Sequence, residues 1–117
     1  FLFASDRGNP RVATRYDFLS PAVLSFFRHI VTRCEAHGTP LTLCGEMSGK
    51  PLEAMALVGI GLRRISMSPA AVGPVKMMVR SLDAAKLEAF MEGLYDLPDR
   101  SVRAQLASFA DAHGVIV

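Results

Sequence analysis

A cysteine and a glutamate follow a short apolar run and could supply a proton donor and a carboxylate to a site. Residues 41–43 read Leu-Thr-Leu, and Cys44, Gly45 and Glu46 come directly after them. The pattern predicts a buried strand over residues 41–45, and ligands of parallel α/β folds bind where such strands end. The alternative is that Cys44 packs in the core, since free cysteine is among the most buried residue types.

An arginine near the N-terminus is the second candidate. Arg7 lies in a turn-forming stretch, residues 6–10, directly after the apolar residues 1–4. A guanidinium can bind a phosphate or a carboxylate through two hydrogen bonds, so Arg7 could hold an anionic substrate. The alternative is an arginine on a solvated loop. Residues 1–4 have no capping residue before them, and we therefore expect the chain to be the C-terminal portion of a larger protein.

Composition restricts the class of protein. The chain has 117 residues, enough for one domain, and 50% of them are hydrophobic. A net charge of +2 without a basic run gives no sign of nucleic-acid binding, and no apolar stretch is long enough for insertion into a membrane. Cys34 and Cys44 lie outside any C-x-x-C motif, so we expect a cytoplasmic protein without a disulfide. The three histidines lack the spacing of metal ligands.

The first helix has clear boundary signals. Ser20 is a typical N-cap and Pro21 a typical first helical residue, while Gly38 and Pro40 end the helix. Apolar residues at helical spacing predict its inward face, which would make Cys34 a core residue. The members of this stripe are Val23, Phe26, Phe27, Ile30, Val31 and Cys34.

Two strand–helix units follow. The strand at residues 41–45 leads to a helix at 51–58, which ends at residues 59–61, and a second strand at 64–68 leads to a helix at 70–81. This alternation predicts two parallel strands with helical crossovers. The side chains that the last of these helices would bury are Val72, Val75, Met78 and Val79.

Two more helices are predicted at the C-terminus. Asp83 caps one of them, and Asp99 or Ser101 opens the other, which ends at Gly114. The side chains that these helices would bury are Leu87, Phe90, Met91, Leu94, Val102, Leu106 and Phe109.

Five blocks of sequence in a fixed order resemble one protein family. They are Asp6-Arg7-Gly8-Asn9, Ser20-Pro21-Ala22-Val23, Leu43-Cys44-Gly45-Glu46-Met47-Ser48-Gly49, Gly59-Ile60-Gly61-Leu62 and Ile65-Ser66-Met67-Ser68. Over essentially the whole chain the sequence resembles the C-terminal end of enzyme I of the phosphoenolpyruvate-dependent phosphotransferase system. Residues 11–13 and 45–47 are most similar to its nitrogen-branch paralogue, which would imply a role in nitrogen regulation.

The resemblance implies a fold. In that family the C-terminal domain is a TIM (β/α)8 barrel that binds phosphoenolpyruvate at the C-terminal face of its strands. Residues 1–117 would be a C-terminal fragment of this domain, with about the last two βα units and the terminal helices. The fragment would be α/β in class but mostly helical. A complete barrel needs about 250 residues, so the chain would supply less than half of one.

The resemblance also implies roles for individual residues. Arg7 matches the arginine that binds the substrate phosphate, and Cys44 matches the cysteine that protonates the enolate as pyruvate forms. Gly45 would let the backbone approach the substrate, and Glu46 would support the site from behind. A free cysteine, with a pKa of about 8.5, keeps its proton at pH 7, whereas an aspartate would already be ionised.

The family's reaction moves the phosphoryl group of phosphoenolpyruvate to an enzyme histidine and on to an HPr-type phosphocarrier protein, releasing pyruvate. The resemblance implies Mg²⁺, with its ligands upstream of this chain and none within it, and a homodimer. We expect the chain alone to be inactive, because the metal ligands and the acceptor histidine are missing.

Two other functions stay open. The chain could be a dimerisation or interaction module of the same protein. It could also belong to an enzyme like pyruvate phosphate dikinase, whose end carries a similar Cys-Gly-Glu motif. Residues 6–9 and the two C-terminal helices favour enzyme I.

Overall fold

Five helices and one pair of short parallel strands make up the described part of the chain. The structure is a computed structural model, and it describes residues 11–12 and 17–117. Between β1 and α2 lies a 3-10 turn, Glu46–Gly49. The other elements are α1 (Pro21–Ala36), β1 (Leu43–Cys44), α2 (Pro51–Ile60), β2 (Ile65–Ser66), α3 (Pro69–Ser81), α4 (Ala84–Met91) and α5 (Arg103–His113). The predicted order of helices and strands is confirmed.

Helices α1 and α4 begin at the residues that the sequence indicated. The Ser20 hydroxyl accepts a hydrogen bond from the Val23 amide at 3.4 Å, and Pro21 is the first residue of α1. Asp83 accepts from the Lys86 amide at 3.2 Å in the same way. Gly38, just after α1, has a φ of +63°, as a glycine that ends a helix often has.

Helices α2 and α5 differ from the prediction at one end each. Helix α2 continues through Gly59 to Ile60 and ends at Gly61, which has a φ of +106°. Helix α5 has Val102 at its N-cap position, with no side-chain cap. The Ser101 hydroxyl nevertheless accepts a hydrogen bond from the amide of Arg103, the first helical residue, at 3.2 Å.

Helix α2 is the centre of the packing. It contacts helices α1, α3, α4 and α5, and none of its residues 54–57 has exposed surface. A helix that is apolar on all sides must be covered on all sides, which explains this central place. The burial predicted for the C-terminal helices is confirmed at Leu87, Met91 and Leu106, whereas Phe90 is half-buried.

Helix α1 turns a slightly different face inward than predicted. Phe26 is exposed and Cys34 is only half-buried, so both were wrongly assigned to the core. The buried side chains include Leu24 and Val31. Successive residues of a helix are about 100° apart, so Phe26 lies about 200° from Leu24, almost on the opposite side of the helix.

Helix α3 shows a similar rotation. Val75 and Met78 are buried as predicted, whereas Val72 and Val79 are exposed and were wrongly assigned inward. The buried residues lie along one edge of the predicted stripe. Which edge of an apolar stripe is covered depends on the neighbouring helices and not on the stripe itself.

The strands pair in parallel, as predicted, but each is only two residues long. Leu43 lies opposite Ile65 and Cys44 lies opposite Ser66. Helix α2 makes the crossover that a parallel pair requires. The strands are shorter than the predicted ranges, and each has a single partner strand among the described residues.

Across residues 17–117, none of the helices combines the length and the apolarity needed to cross a membrane.

Candidate active site

The two faces of the strand pair have different surroundings. Leu43 and Ile65 pack against the hydrophobic core, whereas their neighbours Cys44 and Ser66 are exposed. Successive side chains of a strand point to opposite faces, and paired residues share a face. The helices therefore cover one face, while Cys44 and Ser66 lie together on the open one. Within this chain, Cys44 is therefore exposed and does not belong to the core.

Gly45 gives the chain a sharp change of direction directly after Cys44. It has φ +140° and ψ 171°, a conformation that residues with a side chain rarely adopt. The 3-10 turn begins at the next residue, Glu46. A glycine is thus needed here for backbone conformation alone, whatever role it has towards a substrate.

A serine so far named only within one of the five sequence blocks joins the two strand ends. Ser48 has no exposed surface, and its Oγ lies 2.5 Å from both the Gly45 and the Ser66 carbonyl oxygens. Its backbone N–H also donates to the Gly45 carbonyl at 3.2 Å. A hydroxyl-bearing residue in a turn often bonds to nearby backbone, so its bond to Gly45 had a signal in the sequence. The bond to Ser66 had none.

A cavity of about 430 Å³ opens beside these strand ends. Glu46 lies in its wall, and its predicted supporting role stays a prediction. The remaining lining is small or hydroxyl-bearing, apart from one methionine. The full set is Gly45, Glu46, Gly49, Ser66, Met67, Ser68 and Ala71.

Gly49 and Ala71 are in close contact on one side of this cavity. A Cβ added at Gly49 would lie 2.9 Å from the Ala71 Cβ. The 3-10 turn therefore packs directly against the first turn of α3. A bulkier residue at either position would push the turn away from the cavity wall.

A larger cavity of about 780 Å³ lies elsewhere, along helices α4 and α5. Its wall includes Phe90, Phe109 and His113, and it shares no lining residue with the cavity at the strand ends. The rings of Phe109 and His113 stack at 4.1 Å between their centroids. Neither strand contributes to it, so we place the candidate site at the smaller cavity.

One predicted site residue is not among those that the structure describes. Arg7 lies outside the described residues. Within residues 11–12 and 17–117, no three histidine, cysteine, aspartate or glutamate side chains are grouped so that they could hold a metal ion. Cys34 and Cys44 are both free thiols, as predicted.

Comparison with known sequences connects this site to a family. Residues 1–84 match the family described as PEP-utilising enzyme, PEP-binding domain, and the match ends at the first residue of α4. The Escherichia coli (strain K12) protein named phosphoenolpyruvate-dependent phosphotransferase system is 41% identical over 108 residues, 92% of this chain. The Borreliella burgdorferi phosphoenolpyruvate-protein phosphotransferase is 33% identical over 88 residues, 75% of this chain.

The relatives are much longer than this chain. The aligned regions are 14% of the E. coli protein and 15% of the B. burgdorferi protein. A phosphoenolpyruvate synthase from Pyrococcus furiosus is also similar, 37% identical over 79 residues, which are 68% of this chain and 10% of that protein. By the family match and by these relatives, the chain belongs to the PEP-utilising enzymes, and residues 1–84 fall within their PEP-binding domain.

Proposed function

We propose that this chain is part of a phosphoenolpyruvate-protein phosphotransferase, in which Cys44 donates a proton to the enolate of pyruvate. The observation that carries the proposal is the position of the thiol. Cys44 is exposed on the open face of the strand pair, at the end of β1 and one residue before the cavity wall. In parallel α/β folds the carboxyl ends of the strands are where substrates bind.

The fold supports a place in a TIM (β/α)8 barrel. A barrel strand has a helix layer on its outer face and points its other face to the barrel interior. The β1–β2 pair has helices on one face only, and its open face carries Cys44 and Ser66. The chain would supply the last two βα units, with α4 and α5 on the outside.

The proposed step balances without any further reactant. The bond between phosphorus and the enol oxygen breaks as the phosphoryl group passes to a histidine elsewhere in the protein, leaving the enolate of pyruvate. The enolate carbon takes the proton of the Cys44 thiol, so the S–H bond breaks and a C–H bond forms. The remaining thiolate regains a proton from water.

The other site residues have supporting roles in this proposal. Arg7 would bind the phosphate of the substrate, and Gly45 would let the backbone come close to it. Glu46, which lies in the cavity wall, would support the site. Mg²⁺ would supply charge neutralisation at the phosphate, but the described residues contain no group that fits it. The resemblance places its ligands upstream of this chain.

The proposed reaction and the family resemblance together indicate the partners. We propose phosphoenolpyruvate and pyruvate as substrate and product, an HPr-type phosphocarrier protein as the final acceptor, and a homodimer as the assembly. The nitrogen-branch assignment and its regulatory role stay a prediction from the sequence blocks.

The test is kinetic and uses the complete protein that contains this chain. Cys44→Ala should leave phosphoenolpyruvate binding intact and lower turnover to pyruvate by about 10²–10⁴, the usual contribution of a positioned general acid. Cys44→Ser should not restore turnover, because an alcohol is a much weaker acid than a thiol. Arg7→Ala should weaken substrate binding as well as turnover.

Two controls make the result decisive. The chain alone, incubated with labelled phosphoenolpyruvate, Mg²⁺ and a carrier protein, should release no pyruvate above background. Near-normal turnover by folded Cys44→Ala would overturn the assignment of the proton donor.

A second candidate function is a synthase type of phosphoenolpyruvate chemistry, since one relative is named phosphoenolpyruvate synthase. The two candidates differ in where the phosphoryl group ends. Phosphoryl transfer to a carrier protein supports the phosphotransferase. Net formation of phosphoenolpyruvate without a protein acceptor would support the synthase.

A further inference from the structure

We propose that Ser48 is a positioning residue for Cys44, holding the end of β1 against the end of β2 so that the thiol faces the substrate. This inference rests on the proposed function of Cys44 as the proton donor. It assigns to Ser48 a role in proton transfer that the sequence analysis did not give it.

The position of the Cys44 thiol depends on the backbone. Among the described residues, no hydrogen bond holds the Cys44 side chain, which is exposed. Its direction is therefore set by the two-residue strand β1 and by Gly45, the residue after it. Gly45, at φ +140°, has no side chain and can adopt many backbone conformations, so contacts with its neighbours are needed to select this one.

Ser48 supplies those contacts from a buried position. The Gly45 carbonyl accepts from the Ser48 amide at 3.2 Å and lies 2.5 Å from the Ser48 Oγ. The Ser66 carbonyl also lies 2.5 Å from that Oγ. A hydroxyl has one proton, so it donates to one carbonyl at a time and is shared between the two. With no exposed surface on Ser48, water does not compete for this proton.

The second acceptor of the Ser48 hydroxyl, the Ser66 carbonyl, connects Ser48 to the strand that pairs with β1. Ser66 is the residue that lies opposite Cys44 in the strand pair. The hydroxyl therefore joins the carbonyl after Cys44 to the carbonyl of its cross-strand neighbour. Both strands are only two residues long, so this side-chain bridge is a large share of what fixes their relative position.

The chain offers a matched control in Ser81. Its Oγ also bridges two backbone segments, since it donates to the Met78 carbonyl and accepts from the Ile116 amide, each at 2.9 Å. Ser81 lies at the end of α3 and lines neither strand end. Ser81→Ala thus removes a similar bridge without touching the candidate site.

The test is a double-mutant cycle in the complete protein. Ser48→Ala should lower kcat for pyruvate formation by about 10- to 100-fold, because misplacing a catalytic group by about 1 Å has effects of this size. The KM for phosphoenolpyruvate should change less than about threefold, since the residue does not bind substrate in this proposal. Alanine removes only the oxygen, and circular dichroism checks that the variant is folded.

The decisive comparison is in the Cys44→Ala background. If Ser48 acts through the thiol, Ser48→Ala should change the residual kcat there by less than about twofold, because the group that it positions is already gone. A merely structural role would lower kcat equally in both backgrounds. Ser81→Ala should leave kcat within about twofold of wild type in either background.

The outcomes separate the two proposals. If Cys44→Ala lowers turnover as expected and Ser48→Ala does not lower kcat, or lowers it equally in both backgrounds, the role of Ser48 is overturned and that of Cys44 stands. If Cys44→Ala has normal turnover, the assignment of Cys44 as the proton donor is overturned, and the role of Ser48 with it.

Discussion

At the scale of single residues, one carboxylate joins distant parts of the chain. Asp17, just before α1, accepts hydrogen bonds from the Ser101 hydroxyl, from the Arg103 guanidinium at 3.1 Å and from the Leu19 amide at 3.0 Å. Arg103 also pairs with the buried Glu53 at 2.9 Å. Burial raises the pKa of Asp17, but these hydrogen bonds outweigh it and leave its pKa below the usual value. Asp17 therefore binds a proton less readily in the folded chain than in the unfolded one.

Ser101→Ala should destabilise the chain by an amount that depends on pH. An acid with a lowered folded-state pKa contributes its full stability above its unfolded-state pKa, about 3.8, and loses it as pH falls through the folded value. We expect a loss of about 1 kcal/mol at pH 7, because Asp17 is only partly buried, and a smaller loss at pH 3. The loss should not vanish, since the same hydroxyl accepts from the Arg103 amide.

Urea unfolding at the two pH values measures this difference. Ser25→Ala, an exposed position on α1, is the control and should stay within about 0.5 kcal/mol of wild type at both. A difference between Ser101→Ala and wild type that is as large in acid as at neutral pH would contradict the assignment.

At the scale of elements, helices α2 and α4 meet at a glycine. A Cβ added to Gly59 would lie 2.3 Å from the Met91 Sδ and 2.9 Å from the Leu87 Cγ. The sulfur can move, because it is near the end of a flexible side chain. The Leu87 Cγ is a branch point within a fully buried side chain and cannot easily yield.

Gly59→Ala should therefore destabilise the chain although alanine is the better helix former. The gain in helix propensity is about 1 kcal/mol, and overpacking a well-packed core costs about 1–3 kcal/mol. Because the Leu87 Cγ cannot easily yield, the cost should lie in the upper part of this range, at about 2–3 kcal/mol, and we expect a net loss of about 1–2 kcal/mol in chemical denaturation. Gly93→Ala is the control, since its added Cβ would meet only the Phe90 carbonyl at 3.7 Å. A variant at Gly59 as stable as wild type would show that the two helices have room to separate.

The same glycine shows which features could be predicted from the sequence. Caps at Ser20 and Asp83 involve residues three apart, so local chemistry predicted them. Gly59 looked like a helix end, but the helix continues through it because its role is contact with α4, which no local pattern records. The true end is at Gly61, two residues later.

The candidate site likewise has features that could be predicted from the local sequence and features that could not. The pattern of residues 41–46 correctly placed Cys44 at the end of a strand. Ser48 could not be recognised, because its second acceptor, Ser66, is 18 residues away. The buried carboxylate of Glu53 could not be recognised either, because the arginine that pairs with it, Arg103, is 50 residues away. The roles of Arg7 and Glu46 stay predictions from the resemblance.

At the scale of the whole molecule, apolar surface remains uncovered. Among the described residues, β1 and β2 each have one partner strand, and the sheet face that carries Cys44 has no helix over it. Several large apolar side chains are also exposed. They are Phe26, Val72, Met77, Val79, Ile116 and Val117. Exposed edges and apolar surface favour association with another chain.

The chain on its own should therefore self-associate. We expect the weight-average sedimentation coefficient to rise with concentration over roughly 1–100 μM, a range in which weak protein association is populated. Val79→Lys should reduce this rise if the exposed face of α3 takes part, whereas Ser25→Lys, on an exposed polar position of α1, should not. A compact monomer at every concentration would contradict the expectation.

At Gly45 the limit on substitution is one of handedness and not of room. An added Cβ would meet nothing within 4 Å, yet the φ of +140° excludes the ordinary amino acids. Reversing both signs gives the common extended region of L-residues, so φ +140° and ψ 171° are an ordinary extended conformation for a D-residue. Among the genetically encoded residues, only the achiral one adopts this conformation freely. The turn after Cys44 therefore requires a residue that tolerates this mirror-image geometry. In a protein made by the ribosome that residue is glycine, and in a chemically synthesised chain it could be D-alanine.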